Sequence, residues 1–125
     1  MKGLKLSAVT LLGVVALLAS AAPASARAGA YKHYVACGLA AKAKPSHICP
    51  RGGNKGAFFR SNKADVFYTI CVKFPTGKNL CARHQRAVKG TLYVNKITSN
   101  IPGRHKVTWF VNNKRVGSFI FTVKR

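Results

Sequence analysis

The sequence predicts an all-β antiparallel sandwich of about six to seven strands, and three observations carry that expectation. Apolar residues alternate along Val107, Trp109 and Val111, then along Phe119, Phe121 and Val123, the two-residue period of strands with one buried face. Turn residues, namely Gly, Pro, Asn and Ser, interrupt the chain at short intervals from Pro50 onward. No long stretch beyond residue 26 carries the 3.6-residue period of an amphipathic helix.

Residues 1–26 read as a secretory signal peptide rather than as part of the fold. Lys2 and Lys5 form a positive n-region, Leu6 to Leu18 an apolar h-region, and Ala24-Ser25-Ala26 a small-residue cleavage site. The apolar run is short for a membrane anchor, and no later run approaches that length. The expected product, residues 27–125, suits one secreted, extracellular domain, with the cell envelope as a second possible station.

Residues 27–56 form a basic, cysteine-bracketed and mostly irregular segment. Tyr31, Tyr34, Val35 and Ile48 are its apolar anchors, and Tyr34 to Cys37 could make a short strand. Gly38 to Lys44 could make a helical turn ending before Pro45, which biases Lys44 away from helix. Tyr31, Lys32, His33 and Tyr34 could stack on bases or sugars, but such residues more often pack on a neighbouring sheet. The loop from Pro50 to Gly56 leads into the sandwich proper, residues 57–125.

Ala57 to Arg60 is a short strand candidate. Asp65 to Phe74 is a clear one, with Val66, Tyr68, Ile70, Val72 and Phe74 on one face. Pro75 to Asn79 is a turn cluster, after which Leu80 to Val88 returns and carries Cys81 towards Cys71. Leu92 to Ile97 is a further strand, and Ser99 to Gly103 turns the chain into a final hairpin closed by Asn112-Asn113. Gly117 is placed to mark a bulge in the last strand.

The cysteines Cys37, Cys49, Cys71 and Cys81 predict two disulfides in an exported chain. Of the three pairings we prefer Cys37–Cys49 with Cys71–Cys81, because each brackets a segment with turn signals. The second would lie across a hairpin rather than across two sheets. A zinc site drawn from these cysteines with His33, His47 or His84 lacks the close cysteine pair such sites use, and the net charge disfavours a cation.

Charge is the strongest functional signal. The chain carries 22 Lys and Arg against 1 acidic residue, a formal net charge of +21. Loss of Lys2 and Lys5 with the signal peptide changes that little. Such a field attracts polyanions: wall polymers, acidic glycans, extracellular nucleic acid or acidic lipid surfaces. Dispersal of the basic residues along the chain also fits simple solubilisation. The candidate polyanion contacts are Arg104, Lys106, Lys114 and Arg115 beside the final hairpin, with Arg83, Arg86 and Lys89 beside the preceding one. Asp65, the sole acid, is expected to cap a turn or pair with a local cation.

The C-terminal run Gly103, His105, Val107, Trp109, Val111, then Val116-Gly117-Ser118, Phe119 and Phe121, resembles the closing strand pair of bacterial secreted immunoglobulin-like domains. The resemblance implies an immunoglobulin-like β-sandwich, often a binding, spacer or adhesion module, and transfers no catalytic residue. The segment 27–56 lies outside it.

The inventory argues against an enzyme. There is no Glu and one Asp, so no carboxylate pair exists for glycoside hydrolysis, and no serine sits in a nucleophile-elbow context. No cofactor motif is present. The expectation is a non-enzymatic binding module for anionic envelope or extracellular polymers. The alternatives are a cationic membrane-active protein, or a structural domain that engages a protein partner through its edge strands.

Overall fold

A computed structural model describes residues 29–125, so the signal-peptide assignment lies outside the described residues. Tyr31–Arg125 form one compact unit of eight strands. In chain order these are β1 (Tyr31–Ala36), β2 (Ile48–Cys49), β3 (Lys55–Ser61), β4 (Val66–Lys73), β5 (Asn79–Ala87), β6 (Leu92–Ile97), β7 (Gly103–Val111) and β8 (Lys114–Val123). They build a three-stranded sheet ordered β1-β3-β6 and a five-stranded sheet ordered β2-β8-β7-β4-β5. All pairings are antiparallel except that of β2 with β8.

Segment 27–56 is less irregular than its composition implies. β1 pairs along its whole length with β3, and Val35 enters the core. Gly38 to Lys44 forms a turn, tied by Ala43 N–H donating to the Ala40 carbonyl at 2.9 Å. The segment is therefore part of the sandwich, with one strand in each sheet. Disulfide Cys37–Cys49 joins the end of β1 in one sheet to β2 in the other.

The alternation legible in the sequence sets the core. β4 turns Tyr68, Ile70 and Val72 inward, and β7 turns Val107, Trp109 and Val111 inward, all buried. From the facing sheet come Val35, Ala57, Phe59 and Ile97. Phe59 stacks on Tyr68 at 4.3 Å between ring centroids, and Tyr31 stacks on Phe59 at 5.8 Å. Tyr34 stacks on Phe58 at 4.9 Å and His33 tilts against Trp109 at 4.9 Å. The aromatic residues of β1 thus serve packing, the commoner of the two readings. Near the open edge, Tyr68 in one sheet donates to Asn95 Oδ1 of the other at 3.1 Å, and Asn95 Nδ2 donates back to Gln85 Oε1 at 2.6 Å. Burial pushes the Tyr68 phenol up to about 12.

Two backbone devices set the final hairpin. Asn112 and Asn113 both take positive φ, 53° and 65°, the conformation a two-residue turn of matching twist requires. One strand later Gly117 sits where the register slips, opposite Trp109, and a Cβ at that position would collide with the His33 imidazole. Glycine is needed there for close approach of β1 to β8. Gly117→Ala should destabilise the fold by about 1–3 kcal/mol, measured by denaturant unfolding, as expected for overpacking.

Three polar side chains are buried at one end of the sandwich. Lys55 Nζ donates to the carbonyls of Gly52 and Gly53 and to Asn100 Oδ1, each at 3.3 Å, and burial lowers its pKa. His105 Nδ1 lies 3.1 Å from the Gly103 carbonyl, which can only accept, so Nδ1 carries the proton. Nε2 is then left to accept from the Ser99 hydroxyl at 2.7 Å. Burial, with a smaller contribution from nearby Lys55, holds His105 below the ordinary histidine value, and burial does the same for His33. As pH falls below 6.5 the unfolded chain therefore takes up these protons before the folded one does. Stability should be complete above that value and decline below it, seen as a melting temperature that falls on acidification. The decline should be shallower in His33→Gln.

Candidate functional site: a cationic groove on the five-stranded sheet

Burying one face of β4 and β7 forces their alternate residues outward. On β4 these are Phe67, Thr69, Cys71 and Lys73; on β7 they are Arg104, Lys106, Thr108 and Phe110. The register brings them side by side: Thr69 opposite Phe110, Cys71 opposite Thr108, and Lys73 opposite Lys106. Flanking strands extend the rows, with Arg86 beside Phe67, Cys81 beside Cys71, Arg115 beside Phe110 and Ser118 beside Thr108. Disulfide Cys71–Cys81 thus lies on the outer face between adjacent strands, as its spacing implied. No free thiol remains to bind a metal.

β5 bulges opposite Thr69. Tyr68 pairs with Gln85 and Ile70 with Ala82, so Arg83 and His84 together face the single residue Thr69. His84 takes a positive φ of 53°, a conformation uncommon for a residue with a Cβ. The bulge brings His84 up to the hairpin tip, where it shares a depression of about 320 Å³ with Phe67, Thr69, Asn112 and Asn113.

Three more depressions continue that one along β4. Thr69, Cys71, Arg83, His84, Phe110 and Asn113 line the next, of about 320 Å³. Cys71, Lys73, Asn79, Lys106, Thr108 and Phe110 line the third, of about 400 Å³. Lys73, Phe74, Gly77, Arg104, Lys106 and Ile120 line the last, of about 560 Å³. Each neighbouring pair shares residues, so together they form one shallow groove. From Phe67 to Lys73 it runs about 20 Å, at roughly 3.3 Å per strand residue.

Of the seven cations singled out in the sequence, five fall on this face: Arg83, Arg86, Arg104, Lys106 and Arg115. Two do not. Lys89 follows β5, and its backbone N–H donates to Asp65 Oδ1 at 2.8 Å. Lys114 shares its register pair with the inward Val111 at the hairpin tip. Arg86 Nη2 meets Asp65 Oδ2 at 3.2 Å in a solvent-exposed pair, the local pairing expected of the sole acid. The Lys89 amide and the Arg86 guanidinium hold the Asp65 carboxyl below the usual range.

Lys73, Phe67, Phe110 and His84 were not among the sequence candidates. The outward parity of Lys73 and Phe67 was legible. The place of Lys73 beside β7 was not, because β4 and β7 are not neighbours in the chain.

Ser99 and His105 are hydrogen-bonded to each other at 2.7 Å, and both are buried with their hydrogen-bonding atoms engaged. That pair is a structural clamp. Among the described residues no group of three or more His, Cys, Asp or Glu is placed to hold a metal.

Comparison with solved structures places this architecture. An immunoglobulin-like protein from Pseudomonas aeruginosa superimposes with a TM-score of 0.52 at 13% identity, covering 77% of this chain and 93% of that one. The fold is immunoglobulin-like. This bears out the sandwich and the disulfide pairing read from the sequence. An alkylpurine DNA glycosylase, AlkC, from Pseudomonas fluorescens, solved bound to DNA containing an abasic-site analog, aligns with a TM-score of 0.46 at 18% identity. It covers 77% of this chain, which spans only 31% of that protein. No protein-family profile matches the chain, and the search of curated proteins found no match.

Lys73 and Lys106 stand directly opposite each other, an arrangement that costs stability unless an anion lies between them. Lys106→Gln should therefore stabilise the free protein by about 0.2–1 kcal/mol at low ionic strength. The gain should vanish in high salt, where the repulsion is screened, and melting curves across a salt series measure it.

Proposed function

We propose that this immunoglobulin-like domain is a secreted, non-enzymatic module that binds anionic polymers along the outer groove of its five-stranded sheet. The observation that supports it best is the Lys73–Lys106 pair within a groove lined by cations, hydroxyls, amides and the two outward phenyl rings of Phe67 and Phe110. Asp65, the only acidic residue in the chain, lies at its margin, tied to Arg86. Two disulfides fit an oxidising compartment, which is where wall polymers, acidic glycans and released nucleic acid are met.

A membrane-active role finds less support. The exposed large apolar residues Ile48, Phe67, Leu80, Val88, Val94 and Ile101 are spread over β2, β4, β5, β6 and two turns, and scattered apolar residues are ordinary on soluble surfaces. No helix among the described residues is long and apolar enough to cross a membrane.

The test is polyanion binding across a salt series with the double variant Lys73→Glu/Lys106→Glu. Its control is Lys42→Glu/Lys44→Glu, the same charge change on the exposed turn after β1. The groove variant should lose at least tenfold in affinity and show a flatter salt dependence, because fewer counterions are released. The control should lose much less. Equal losses would mean that net charge, not the groove, does the binding.

A further inference from the structure

We infer that the polymer this groove is shaped for is a single-stranded nucleic acid, an inference that rests on the polyanion reading above. Each phenyl ring on the face has an arginine as its direct cross-strand partner: Phe67 pairs with Arg86, and Phe110 with Arg115. Directly opposed residues on neighbouring strands stand about 5 Å apart, so at Phe110 and Arg115 a ring and a cation lie within reach of the base and the phosphate of one nucleotide, while Arg86 beside Phe67 is shared with Asp65. Phe67 is 55% exposed, so its ring is open to a ligand. Phe110 and Cys71 line both central depressions, so the ring can lie against a base on either side.

Other polyanions use this arrangement less well. A duplex keeps its bases stacked inside, leaving both phenyl rings without a partner. An acidic glycan can hydrogen-bond to the threonine and asparagine side chains of the groove but brings no planar base to stack on its two outward rings. Every base of a single strand has a π-face, so stacking on phenylalanine with phosphates on lysine and arginine binds such strands with little regard to sequence. At about 20 Å the groove is long enough for about three or four extended nucleotides. The paired Lys73 and Lys106 at its far end provide a phosphate subsite.

Titrations of a short labelled oligothymidylate, the matching duplex and a sulfated glycan against the purified, disulfide-intact protein test this. The oligothymidylate should bind at least fivefold tighter than the duplex. Phe110→Ala and Phe67→Ala should each weaken it by about fivefold to a hundredfold while leaving glycan affinity within about twofold. Lys73→Glu/Lys106→Glu should weaken all three ligands. In a salt series each neutralised lysine contact should reduce the slope for the single strand by about 0.7.

If the phenylalanine variants bind the oligothymidylate like the parent, or duplex and glycan bind as tightly as the single strand, the nucleic-acid inference is wrong and the polyanion reading stands. If the lysine variant binds every ligand unchanged, the polyanion reading itself fails. Phe67 contributes little to the core, so Phe67→Ala decides the matter alone if Phe110→Ala does not fold.

Discussion

Burial of the inner faces of β4 and β7 is the constraint on which the rest depends. These central strands of the larger sheet place Tyr68, Ile70, Val72, Val107, Trp109 and Val111 against the facing sheet. Strand side chains alternate strictly, so a slip of one residue would send this whole set into solvent and bring Lys73 and Lys106 into the core. Locking the core thus fixes what the opposite face displays. The groove is the outer print of the same register, and its floor stands on β4 and β7, which lie inside the larger sheet, with the edge strand β5 along one side.

Electrostatics pulls the other way. A chain with one acidic residue cannot neutralise its surface internally, and most of its cations have no carboxylate partner. Rigid packing and two disulfides offset that repulsion. Cys37–Cys49 ties the two sheets together, whereas Cys71–Cys81 fastens an edge strand that also carries the bulge at His84. The uncompensated charge disfavours the free protein and favours a complex with an anion, so stability and binding trade against each other at the Lys73–Lys106 pair.

The buried polar cluster at the end of the sandwich shows the same economy in a different setting. Lys55 has no carboxylate to pair with and is satisfied instead by two backbone carbonyls and an amide oxygen. Its bonds hold the loop before β3 to the loop before β7, at Asn100. Ser99 and His105 complete that end without exposing either side chain. Residue types that elsewhere form catalytic pairs are spent here on loop geometry.

Much of this was determined by local sequence. Alternation fixed the inward faces of β4, β7 and β8, the Asn112-Asn113 pair fixed the hairpin, and loop-bracketing spacing pointed to both disulfides. The surplus of cations, and five of the basic residues on the groove's face, three of which line it, were visible as composition and position. Tertiary structure alone decided the rest, because period-two patterns state which way a side chain points and not which strand lies beside it. Pairing of β4 with β7 across intervening strands set Lys73 against Lys106 and Thr69 against Phe110. Recruitment of β1 into the smaller sheet turned an apparently irregular segment into core. The bulge that brings Arg83 and His84 to face one residue depends on the register of β5, which its mixed and mostly exposed sequence does not encode locally.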